Sequence, residues 1–92
     1  MSDRRVFERM KTKLPVKFLD PSTGKEGEAN TFDVSADGLG LLTYENLPEQ
    51  TSLELWLNIP GRHIPVYTRG EVRWFRGSLE NCVKRVGVLL EK

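Results

Sequence analysis

Ser52-Leu53-Glu54-Leu55-Trp56-Leu57-Asn58-Ile59 puts Leu53, Leu55, Leu57 and Ile59 on one side of an extended chain and Ser52, Glu54, Trp56 and Asn58 on the other. A period of two marks a strand with one buried face, because successive side chains of extended backbone point in opposite directions. Trp56 falls on the polar side and is expected to cover a barrel end or a partner surface. Downstream, Pro60-Gly61-Arg62 reads as a hairpin turn. Residues 64–75 follow as the longest expected strand, with Ile64, Val66, Thr68, Gly70, Val72 and Trp74 facing the core and Arg69, Glu71 and Arg73 facing away. Pro65 limits the central part of that strand to its later residues, and Gly70 is expected to bend it at a barrel corner. A polar loop then leads to a last strand over residues 82–91, where Val83, Val86, Val88, Leu89 and Leu90 supply apolar mass.

Upstream of the opening stretch the same reading continues. Residues 45–51 lack periodicity and form a loop. Residues 39–44 are a strand, and Gly38 and Gly40 ahead of its apolar positions fit a bulge or a close backbone approach. Residues 26–34 make a strand around Ala29, Thr31 and Phe32, and residues 14–19 another, in which Leu14, Val16 and Phe18 alternate with Pro15 and Lys17. Asp20-Pro21-Ser22-Thr23-Gly24 joins these two as a turn. Five or six short strands without a helical period predict an all-β barrel or sandwich. A closed barrel is favoured, since closure removes the unpaired edges that a small sheet would expose.

The 92 residues are expected to form one domain, and 38% apolar with 29% charged residues allow a small core. A chain of this length buries roughly 60–65% of its unfolded surface, so an economical architecture is needed. No run approaches the ~18 apolar residues of a membrane span, so the expected location is cytoplasmic, with no membrane contact. The lone Cys82 excludes an intramolecular disulfide. A net charge of +1 hides an asymmetry: between Arg4 and Lys17, Arg4, Arg5, Arg9, Lys11, Lys13 and Lys17 stand against the single Glu8, whereas the middle of the chain is rich in acid. Residues 1–13 thus read as a flexible basic arm and residues 14–92 as the barrel. A basic arm on a near-neutral body suits an anionic partner of limited size better than a long nucleic acid, which asks for a broad positive face.

Two clusters stand out from this background. Arg5 and Arg9 are spaced R-x-x-x-R, with Arg4 in front. Asp33-Val34-Ser35-Ala36-Asp37-Gly38 carries D-x-S-x-x-G. By itself the second cluster is either a tight turn holding its own backbone or a set of polar groups aimed at a ligand over a glycine that lets the backbone approach. The two motifs in this order, continued by Gly70-Glu71-Val72-Arg73-Trp74 and Arg85-Val86-Gly87-Val88, resemble the PilZ domain, the bacterial receptor module for cyclic di-GMP.

The resemblance implies a six-stranded antiparallel barrel that binds cyclic di-GMP through Arg4, Arg5, Arg9, Asp33, Ser35 and Gly38, with no cofactor and no metal. It implies two ligand molecules per protomer from the extra Arg4, and an unidentified downstream protein. Members often carry a carboxy-terminal helix that has no counterpart before Lys92, which leaves open what covers the barrel end and whether the protein is a monomer or a weak homodimer. Chemically, arginine forks suit phosphate or the O6 and N7 edge of guanine, and a carboxylate at Asp33 accepts from the guanine Watson–Crick edge while repelling phosphate. Arg73 and Trp74 would line the same face if they stacked on a base, although alternation favours Trp74 in the core. An enzyme is not indicated: His63 is the sole histidine and no nucleophile motif occurs. The alternatives are a barrel acting through protein contacts and a binder of single-stranded nucleic acid.

Overall fold

Alternating apolar residues can bury one face of a small sheet if the sheet curls round to cover itself, and the computed structural model has this form. It describes residues 13–77 and 82–91. Among them are six strands: β1 (Pro15–Asp20), β2 (Lys25–Val34), β3 (Gly38–Thr43), β4 (Ser52–Leu57), β5 (Val66–Arg76) and β6 (Lys84–Leu90). All neighbours pair antiparallel in the ring order β1-β2-β3-β6-β5-β4, and β4 returns to β1 to close the barrel. No helix among the described residues is long and apolar enough to cross a membrane. The arm expected over residues 1–13 lies outside the described residues except for Lys13.

Inside the ring, Phe18, Leu41, Leu53, Leu55, Val72 and Val86 are at most 1% exposed. Each such side chain contributes about 1.5–3 kcal/mol through removal from water. Thr31, also in the interior, accepts from the Leu14 N–H through Oγ1 at 2.8 Å. β3 and β4 follow one another in the chain but stand on opposite sides of the ring, so residues 44–51 must traverse one mouth of the barrel. Leu47 drops from that loop into the core at 1% exposure. The loop is tied down where the Gln50 N–H donates to the Val72 carbonyl at 2.7 Å and the Val72 N–H donates to the Thr51 carbonyl at 2.9 Å. One mouth is therefore covered from within the chain.

Several expectations need correction. β5 starts at Val66, and Ile64, expected inside, is 75% exposed. Its irregularity is not at Gly70, which pairs in register with Leu90, but between Val72 and Trp74. An extra residue there reverses the alternation. Phe75 takes the inward place, while Trp74, expected in the core, is 37% exposed on the outer face. β6 starts at Lys84, because Cys82 has φ of 62°, a left-handed conformation that no strand uses, and Leu89 points outward. Tyr44 lies past the end of β3 and is exposed. Trp56 covers no barrel end; it packs on Tyr67 against the barrel wall, ring centroids 5.4 Å apart.

Candidate functional site

Ser35 to Gly38 form the tight connection between β2 and β3. The Ser35 N–H donates to the Gly38 carbonyl at 3.0 Å, and the Gly38 N–H donates to Ser35 Oγ at 3.2 Å. The Ser35 hydroxyl also donates back to the Gly38 carbonyl at 3.3 Å. Ser35 and Gly38 are thus turn-builders whatever else they do. The turn is fastened to the end of β6, where the Leu90 N–H donates to the Asp37 carbonyl at 2.8 Å. Gly38 permits that closeness: a Cβ on it would stand 2.6 Å from the Val88 carbonyl oxygen.

Beside the turn, a cleft of about 260 Å³ opens on the outer wall formed by β2, β3, β6 and β5. Its floor is a pair of glycines, Gly40 of β3 and Gly87 of β6, which face each other in register. An aromatic ring lies on each. Phe32 covers Gly40 and Trp74 covers Gly87, so closely that a Cβ on either glycine would collide with the ring. The guanidinium of Arg85 stands over the Phe32 ring at 5.2 Å and that of Arg76 over Trp74 at 5.4 Å, both within cation–π range. Both rings sit at breaks in the ladder, Phe32 where β2 slips between Thr31 and Asp33, Trp74 where β5 slips between Val72 and Trp74. Ladder slips of this kind re-aim side chains, and here they turn Asp33 and Trp74 toward the cleft.

Three of the six expected site residues, Asp33, Ser35 and Gly38, line this one cleft together with Asp37, Arg73 and Trp74. Asp33 is half-buried, with Oδ1 closed off from solvent. Arg73, expected at the same face, pairs with Glu71 at 3.7 Å while its side chain stays exposed to solvent. Arg4, Arg5 and Arg9 lie outside the described residues. Sequence reasoning marked Gly40 for a bulge or a close backbone approach but missed Phe32, Arg85 and the partner glycine, Gly87, beside the cleft. The readable signal was a glycine on a partner strand opposite each aromatic, since a glycine in a strand interior often marks close approach. Chemically the cleft offers aromatic rings to a base, a carboxylate to its N–H groups and the Arg73 guanidinium to phosphate.

A model of the PilZ domain matches residues 3–91. The chain belongs to the PilZ family. Among solved structures, the Bacillus subtilis inhibitor of motility (MotI/DgrA) shares the fold at a TM-score of 0.73 and 16% identity, over 97% of this chain and 43% of that one. The present chain therefore spans less than half the length of that protein, and at this identity the likeness is one of fold. No curated protein matches. The PilZ match includes Arg4, Arg5 and Arg9 as well as the cleft residues, so both sequence motifs fall inside the domain.

Proposed function

We propose that this PilZ domain is a cytoplasmic, non-enzymatic receptor for cyclic di-GMP, in which Asp33 accepts from a guanine edge, Trp74 and Arg73 stack on or bracket the base, and Arg5 and Arg9 hold phosphate. The observation that supports it best is the single cleft shared by Asp33, Ser35, Gly38 and Trp74. Its volume of about 260 Å³ lies below the ~300–1,000 Å³ of pockets that enclose drug-sized ligands. Such a cleft takes part of a cyclic dinucleotide and leaves the rest to be covered by another segment. In this reading that segment is the basic arm, residues 3–13, which closes over the ligand and changes the surface offered to a downstream protein. Arg4 adds a cation for a second ligand molecule.

The Arg85–Phe32 and Arg76–Trp74 stacks also suit a single-stranded nucleic acid, which needs aromatic platforms in a basic groove. The short cleft bounded by the Ser35–Gly38 turn and the net charge of +1 favour the compact anion. Isothermal titration with cyclic di-GMP, with GMP and an oligonucleotide as controls, separates the two. Micromolar or tighter binding of the cyclic dinucleotide alone is expected, and its stoichiometry reports on Arg4. Charge-assisted hydrogen bonds contribute about 1.5–3 kcal/mol each, so Arg5→Ala or Arg9→Ala should weaken binding ~10-fold to more than 100-fold. Unchanged affinity in both variants sinks the assignment of those arginines.

A further inference from the structure

Alternation along β2 forecasts the wrong side for Asp33. Ala29 and Thr31 are buried, so in an unbroken strand Asp33 would be the next residue inward, a carboxylate among leucines and valines. The ladder to β3 avoids this by slipping: Thr31 faces Leu41, Asp33 faces Gly40, and Phe32 is the extra residue between them. The slip carries Asp33 to the outer face and into the cleft. A bulged residue is left out of the ladder, so something else has to hold it. Here the Phe32 ring does so. A Cβ on Gly40 would stand 2.6 Å from Phe32 Cζ and 2.9 Å from both Cε atoms, so the ring occupies the space that any larger residue would fill. The Arg85 guanidinium stacks on the ring at 5.2 Å, joining β6 to the same contact.

We propose that Phe32 is a positioning residue for ligand recognition: seated on Gly40 and stacked with Arg85, its ring holds the β2 bulge and thereby the outward direction of Asp33. The inference rests on the reading of the cleft as a cyclic di-GMP site. In this role Phe32, whose ring also borders the cleft, acts through Asp33. Replacing it should therefore mimic damage to Asp33 and should add nothing once Asp33 is gone. The effect should also fall on recognition of the guanine exocyclic amine, the donor that a carboxylate at this place accepts.

The test is isothermal titration of the full chain and of Asp33→Asn, Phe32→Leu, Phe32→Tyr and the Phe32→Leu/Asp33→Asn double variant, with cyclic di-GMP and with its hypoxanthine analogue, which lacks that amine. Leucine keeps apolar cover for the fold while losing the flat ring. Asp33→Asn and Phe32→Leu are each expected to weaken cyclic di-GMP binding about tenfold and to lose most of the preference over the hypoxanthine analogue. Phe32→Tyr should bind as the wild type, and the double variant should be no weaker than the weaker single one. Should Phe32→Leu fail to fold, Gly40→Ala displaces the ring from below and is expected to give the same loss. Wild-type affinity and selectivity in the ring-displaced variant beside a weakened Asp33→Asn would overturn the inference, as would a double variant weakened by the product of the two factors, about 100-fold. A wild type that does not bind cyclic di-GMP at all overturns the reading of the cleft first, and this shows before any variant is compared.

Discussion

Two aromatic pairs on the outside of this barrel share strand β5, and they are built in opposite ways. Trp56 of β4 and Tyr67 of β5 are register partners in an unbroken ladder and pack ring against ring, 5.4 Å apart and tilted by 53°. Phe32 of β2 and Trp74 of β5 are separated by the β3–β6 pair, sit at two slips in the ladder, and lie on facing glycines. The first pair fills its own gap and leaves no cleft between its rings. The second leaves one, because each ring rests on a glycine and not on the other ring. A regular ladder makes a wall, whereas paired bulges over paired glycines make a cleft.

The sharpest way to break the cleft side is Gly38→Ala. The obstacle to the new methyl is the Val88 carbonyl oxygen at 2.6 Å, which is backbone and cannot swing aside. Overpacking of this kind costs about 1–3 kcal/mol, or a melting temperature lower by roughly 4–8 °C per kcal/mol in a domain of this size. Thermal unfolding followed by circular dichroism checks it, and cyclic di-GMP binding should fall with the turn. An alanine that leaves both unchanged would show that the approach of β6 to the turn is unimportant.

Next in size are the two tryptophans, compared directly. Trp74→Ala should weaken cyclic di-GMP binding by ~10-fold to 100-fold, the range of a base-stacking contact, with a modest change in melting temperature. Trp56→Ala should do the reverse. It removes an aromatic pair worth about 0.5–1.5 kcal/mol beyond its area, so the melting temperature falls while affinity stays within about twofold. Equal effects on both quantities in both variants would erase the distinction between wall and site.

These variants also mark where the sequence was legible. Alternation in residues 52–59 placed Leu53, Leu55 and Leu57 in the core, and the turns at Asp20–Gly24 and Ser35–Gly38 were readable from Asp, Ser and Gly chemistry. Trp74 was not readable, because alternation carries no information about a residue inserted ahead of it; one extra residue after Val72 sends every later side chain to the opposite face. The same blindness applied to Asp33, which its motif, and not its period, groups with Ser35 and Gly38, the residues it shares the cleft with. Leu47 escaped because a single leucine in an aperiodic loop says nothing until the β3-to-β4 connection is known to cross the barrel mouth. The arginines of the first motif lie outside the described residues, so their part in the site stays a proposal.

The smallest effect belongs to the turn between β1 and β2, the counterpart of Ser35–Gly38 away from the cleft. The Ser22 hydroxyl and N–H donate to Asp20 Oδ1 at 2.7 and 2.9 Å and hold the Asp20 carboxyl below its usual range. A carboxylate with a depressed folded-state pKa stabilises above its unfolded value, near 3.9, and loses that contribution as pH falls through the folded one. Asp20→Ala should thus lower the melting temperature slightly at pH 7, with the gap to wild type narrowing below about pH 4, and cyclic di-GMP affinity should not change. A gap that widens on acidification would contradict the assignment.

The two indoles supply the most direct test of the central claim, since the chain has only these two tryptophans and hence two indole N–H signals in a nitrogen-15 correlation spectrum. Trp74 Nε1 lies over Gly87 at the cleft, and Trp56 lies on β4, outside the cleft's lining. Titration with cyclic di-GMP should shift the Trp74 signal in step with the binding isotherm and leave the Trp56 signal in place. A shift confined to Trp56, or saturable binding with the Trp74 signal unmoved, would place the ligand elsewhere on the barrel and contradict the account of the cleft as its site.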